Sequence, residues 1–177
     1  MAAVTSPAFP AVVHAVPKGA VYSILLLLHV ACALVGFGAL AMTGVQARRA
    51  RRGPAGQGAE GVRRFFGPGV NWAARALYGV PVFGFALIST SDGAFSAGDG
   101  FVIAGLGLWS LATVVAEVVV WPGERRIQEA VSTEWVSTAV STKSDGRFES
   151  DCRRVALSAA LLSGVFITAV ILMVAQP

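Results

Sequence analysis

Apolar residues fall in long unbroken runs, at residues 21–44, 71–89, 101–121 and 155–174, with polar and charged positions swept into the segments between them. Each run is close to the ~20 residues that a helix needs to cross the hydrocarbon core of a bilayer. The pattern predicts an all-α polytopic membrane protein. Its four transmembrane helices would form one bundle over residues 21–177, after an irregular outer leader at 1–20. Pro7, Pro10 and Pro17 prevent that leader from forming one continuous helix.

The segment from Glu124 to Val140 has a different rhythm. Ile127, Val131, Trp135 and Ala139 recur at a helical interval with polar residues between them. This predicts an amphipathic helix extending the third span on its cytoplasmic side. It would lie against the bundle or the lipid surface, or else dock a partner. Trp121-Pro122-Gly123 reads as an interfacial aromatic followed by a helix-breaking pair, and Lys143-Ser144-Asp145-Gly146 as a turn back towards the fourth span.

Charge supplies the threading. Arg48, Arg49, Arg51, Arg52, Arg63 and Arg64 follow the first run, and Arg125, Arg126, Lys143, Arg147, Arg153 and Arg154 lie between the third and fourth. The loop after the second run carries Asp92 and Asp99 and no basic residue. Lys and Arg stay on the cytoplasmic side, so both basic loops are expected inside and both termini outside. Ala39-Leu40-Ala41 resembles a signal-cleavage site. Cleavage there would put Arg48–Arg52 outside, and the long, nearly uncharged leader does not fit a signal peptide.

Composition agrees with this picture. Hydrophobic residues make up 55% of the 177-residue chain and charged residues 14%. Topology explains the net charge of +4 better than nucleic-acid binding does. Cys32 and Cys152 fall at different depths, which argues against a disulfide.

Lipid offers no hydrophobic drive for helix association, so small residues should mark the contacts. Ala156, Ala160, Gly164 and Thr168 recur every four residues on the fourth span, and His29, Cys32, Ala33 and Gly36 share a face of the first. Gly79, Pro81 and Gly84 predict a bend in the second. A short outer loop predicts spans two and three as antiparallel neighbours.

Ionisable residues within spans usually face the protein interior. His29 reads as an interhelical hydrogen bond, a proton relay, or a metal or haem ligand. A bis-histidine haem would need a second intramembrane histidine, and the other histidine, His14, is in the leader. Glu117 and Arg75 fall at one depth on consecutive spans, which predicts an ion pair, with Ser110 and Thr113 extending the polar face of Glu117. The pair is either a structural clasp or part of an ion path towards His29. No Walker loop, HExxH, CxxC or nucleophile elbow is present, so no catalytic, cofactor-binding or metal residues are assigned.

LLLLHVACALVGFGAL (25–40), ALYGVPVFGFALIS (76–89) and LWSLATVVAEVVVWPGERRIQ (108–128) together resemble a bacterial family of predicted four-helix integral membrane proteins of unknown function, common in actinobacteria. The resemblance implies the fold and a bacterial inner-membrane address, and brings no activity. Leu28, His29, Gly36 and Gly38 are also similar to a segment of copper-resistance and haem-pathway membrane proteins, which carry further histidines that this chain lacks. The leading expectation is a non-enzymatic accessory subunit or assembly factor that packs against other membrane proteins, such as a respiratory complex. The alternatives are a small transporter or proton conductor using Glu117 and His29, and a metal- or haem-binding protein using His29.

Overall fold

The computed structural model describes residues 19–52, 61–62, 64–67, 69–134 and 145–175. Among the described residues the chain is helical and has no strand. The helices are α1 (Ala20–Arg51), α2 (Trp72–Ser89), α3 (Gly100–Val115), α4 (Trp121–Glu134) and α5 (Asp145–Val174). A π turn, Ala116–Val120, joins α3 to α4 without a break. Four helical runs are therefore long and apolar enough to cross a membrane, the architecture of a multi-pass membrane protein. No more than 17% of the most apolar window of any run is buried. Ile24, Leu27, Val82, Ile103, Val118, Leu161, Ile171 and other large apolar side chains face outward, a surface suited to lipid and not to water.

Helix ends differ from the apolar runs for local reasons. α1 continues to Arg51 because Gln46, Ala47 and the arginines are good helix formers, and its last-turn arginines complement the helix dipole. α5 begins at Asp145, so Asp145-Gly146 lies inside the helix and not in the expected turn. Trp121-Pro122-Gly123 does not break the third run. Pro122 lacks the N–H that would bond Val118, and the helix absorbs this by widening to the π turn, where Trp121 N–H donates to Ala116 O. The expected amphipathic segment extends past Glu134, and its Trp135 and Ala139 lie outside the described residues, as do the leader at 1–18, Arg63 and Lys143.

α1 is the hub. It packs along α5 and along α2, while α5 also meets α3 and α4. Gly36 lies directly on the backbone of α2, where an added Cβ would stand 2.7 Å from Leu77 N. Gly44 lies on α5, where a Cβ would collide with the Ala159 side chain. Phe37 stacks on Phe166 at 4.9 Å, extending the α1–α5 seam.

The packed face of α5 is Cys152, Val155, Ala156, Ala159 and Leu162. This corrects the expected stripe, because Ala160, Gly164 and Thr168 are exposed. A helix with 3.6 residues per turn rotates a strict four-residue repeat by about 40° at each step, which carries the stripe off the buried face. α2 and α3 also depart from the expected close pair. α2 packs mainly on α1 and α3 on α5, and the first two are linked by side chains, with a cavity between them. Their connecting loop turns at Asp92 and Gly93, both with positive φ, and is pinned by the buried Ser91 hydroxyl, which donates to Ile88 O and accepts from Phe95 N–H.

Gly36→Ala should destabilise the fold by about 1–3 kcal/mol, because the methyl group meets backbone that cannot rotate away. Gly38→Ala, on the same helix with nothing within 4 Å, should be neutral or slightly stabilising. Denaturant unfolding in mixed micelles compares the two.

Candidate functional site

Polar side chains collect in two places. The first is the end of the molecule that carries the arginines, where α1 finishes and α2 and α5 begin. Asn71 stands one residue before α2 and caps it, its Oδ1 accepting from Ala74 N–H at 3.3 Å. The Asn71 amide nitrogen reaches Thr43 Oγ1 on α1 at 3.4 Å and Glu124 Oε1 on α4 at 3.5 Å. Glu124 is only 6% exposed. Arg75, one turn further along α2, lays its guanidinium over the Trp121 ring at 3.7 Å. Its Nη1 is 3.8 Å from Glu117 Oε1, and the Tyr78 hydroxyl donates to the same oxygen.

The π turn organises this cluster. It holds Glu117 itself and ends where Trp121 begins, so it sets how both side chains face α2. No hydrogen bond joins Ser110 or Thr113 to Glu117 among the described residues. Thr113 instead donates to its own helix at Trp109 O, 3.0 Å away, and Ser110 is exposed. Two more buried polar atoms lie at this end, Gln46 Oε1 and Trp121 Nε1, and neither has a hydrogen-bond partner among the described residues.

The second place lies nearer the loop that joins α2 to α3. His29 Nδ1 is 2.8 Å from Val80 O on α2. Gly84 leaves room for the ring, since a Cβ there would touch His29 Cε1 at 3.4 Å. Pro81 follows Val80 and carries no N–H, so the Leu77 carbonyl one turn back lacks its usual helical donor. Trp109 of α3 supplies one, its indole nitrogen donating to Leu77 O at 2.9 Å. A cavity of about 360 Å³ opens between these helices, lined by His29, Trp109 and mainly apolar neighbours.

The structure thus brings Arg75 and Glu117 together, and keeps His29 apart from them beyond the Trp109–Leu77 contact. No hydrogen-bonded chain joins the two places among the described residues. No group of three His, Cys, Asp or Glu side chains is gathered for a metal ion among them either. Cys32 and Cys152 are free thiols.

Sequence reading overlooked Asn71, Thr43, Tyr78 and Glu124. The i, i+4, i+7 spacing of Glu117, Trp121 and Glu124 is the signal in the sequence that could have found Glu124. No protein-family model, curated protein or solved structure matches the chain.

A double-mutant cycle between Arg75→Ala and Trp121→Leu should show a coupling of about 0.5–2 kcal/mol, the scale of a partly desolvated cation–π contact. A control cycle of Arg75→Ala with Ser110→Ala should show none beyond error. Arg75→Lys should retain less of the stacking than a charge count suggests, because only the planar guanidinium matches the indole face.

Proposed function

We propose that this chain is a non-enzymatic protein of a bacterial inner membrane that works by packing against other membrane helices, as an accessory subunit or assembly factor. Its four helices form a bundle in the bilayer with both termini outside, in the manner of the uncharacterised four-helix family that it resembles.

The observation that carries this reading is the outward stripe on α5. Ala160, Gly164 and Thr168 are exposed, and a Cβ on Gly164 would meet nothing within 4 Å. Thr168 already donates to Gly164 O at 3.0 Å, so the stripe presents a thin, satisfied surface. Small residues at four-residue spacing allow two helix backbones to approach closely, which is how helices associate where lipid removes the hydrophobic drive. Among the described residues nothing packs on this face at Gly164.

The threading rests on the arginines. Arg48, Arg49 and Arg51 end α1, while Arg125, Arg126, Arg147, Arg153 and Arg154 flank the α4–α5 connection at the same end. Ion pairs of 3.9 Å between Arg51 and Glu149 and 3.8 Å between Arg126 and Asp151 tie these ends together. α4 serves as the amphipathic cytoplasmic extension, with Ile127 buried and Arg125, Arg126 and Glu129 exposed. A respiratory complex is one host that such a protein would serve.

Purified in mild detergent, the chain should travel as a stoichiometric complex with itself or another membrane polypeptide. Gly164→Ile should dissolve that complex while leaving the unfolding of the chain unchanged. A lone monomer in nanodiscs, indifferent to Gly164→Ile, would sink the packing role.

Topology is checked separately in a variant with Cys32 and Cys152 replaced by Ala. A membrane-impermeant maleimide added to intact cells should label Ala97→Cys, and should label Ser150→Cys only after permeabilisation. The reverse result would invert the threading.

A further inference from the structure

The cavity between α1, α2 and α3 is more than a packing fault. Its volume of about 360 Å³ falls in the range of small-molecule sites, roughly 300–1,000 Å³. Its walls are rich in aromatic rings: Phe85 from α2, Phe101 and Trp109 from α3, and Phe95 from the connecting loop. Phe95 and Phe101 meet edge to face at 5.8 Å, which holds the loop down on this end.

Polar atoms in the lining are few and mostly engaged. The Trp109 indole N–H is committed to Leu77 O. The carbonyl facing His29 Nδ1 only accepts, so in the neutral ring Nδ1 carries the proton and Nε2 carries the lone pair. Among the described residues Nε2 has no protein partner. Among the described residues the cavity therefore offers a strong acceptor in a half-open, aromatic and otherwise mainly apolar cleft. Tyr22 adds a hydroxyl from two turns earlier on α1.

We infer that this cavity binds a membrane-dissolved phenolic compound, an aromatic ring with a hydroxyl, whose O–H donates to His29 Nε2. A saturated acyl chain would fill the space and leave Nε2 unpaired, which is costly in an apolar site. A phenol satisfies Nε2 and offers a ring to the aromatic walls in the offset or edge-to-face arrangements that such rings prefer. The site is independent of the packing face on α5, and either proposal can fail without the other.

The test uses the full chain in detergent micelles, with His14→Gln so that His29 alone reports. 4-Pentylphenol and its methyl ether are titrated in turn, with empty micelles as the partition baseline, while the ring ¹⁵N signals of His29 are followed. The phenol should bind saturably and about five- to tenfold more tightly than the ether, the size expected for one net hydrogen bond. It should also shift Nε2 and leave Nδ1 nearly still.

His29→Phe should abolish the preference for the phenol. Gly105→Leu projects into the cavity, where the nearest atom to an added Cβ is Met173 Cε at 3.8 Å, and should weaken both probes at least tenfold. The inference is overturned by uptake no greater than that of empty micelles, by equal affinity for phenol and ether, or by a preference that survives His29→Phe. Should His29→Phe fail to fold, the phenol-to-ether ratio, the Nε2 shift and Gly105→Leu still decide the matter.

Discussion

Gly36 and Gly44 let α1 touch two neighbours at once. Eight residues separate them, which turns the second about 80° from the first around the helix, so α2 and α5 settle on adjacent sides of α1. Inside lipid there is no gain from merely hiding apolar surface, and helices hold together through close van der Waals contact and buried polar bonds. Both depend on backbone proximity. With a methyl group at Gly36, α2 would have to retreat, and the His29–Val80 and Asn71–Thr43 bonds that link the same two helices would lengthen together. The outward apolar side chains of every helix contribute nothing to this selection, because lipid accepts them in any arrangement.

Two prolines set the details of the sites. Each removes a backbone donor, and the chain answers differently in each case. Pro81 leaves the Leu77 carbonyl open, and Trp109 closes it from the neighbouring helix, so a local defect becomes an interhelical bond. Pro122 is absorbed within its own helix by the π turn, in the stretch that carries Glu117 and leads into Trp121, both of which meet Arg75. One proline therefore ties α2 to α3 beside the cavity, and the other builds the cluster at the arginine end.

The two polar regions have opposite characters as a result. The arginine end is a dense network in which one guanidinium serves a carboxylate and an indole, with a capping asparagine bridging three helices. Glu117 meets Arg75 and Tyr78 together there. The loop end is sparse, with the His29 Nε2 acceptor lacking a partner among the described residues and standing beside aromatic rings. Side-chain contacts join α2 to the third run at one end, and the cavity lies between α2 and α3 at the other.

Much of this was legible from residue order alone. Apolar run length and the clustering of arginines are one-dimensional properties, so they predict four crossing helices and put Arg75 and Glu117 at one depth without knowledge of packing. Rotation about a helix axis is different. It accumulates error at each residue and jumps wherever the hydrogen-bond ladder changes register. Thr113 turns back to its own helix at Trp109 O and Ser110 is exposed, so neither extends the polar face of Glu117. The drift of a four-residue repeat carried Ala160, Gly164 and Thr168 to the outside of α5. Partners supplied by distant segments, such as Asn71 for Glu124 or Val80 for His29, have no signature in either segment by itself. Which stretches are apolar, and where their charges gather, follows from residue order. Which faces meet does not, because that depends on helix rotation and on how closely the backbones approach at Gly36 and Gly44.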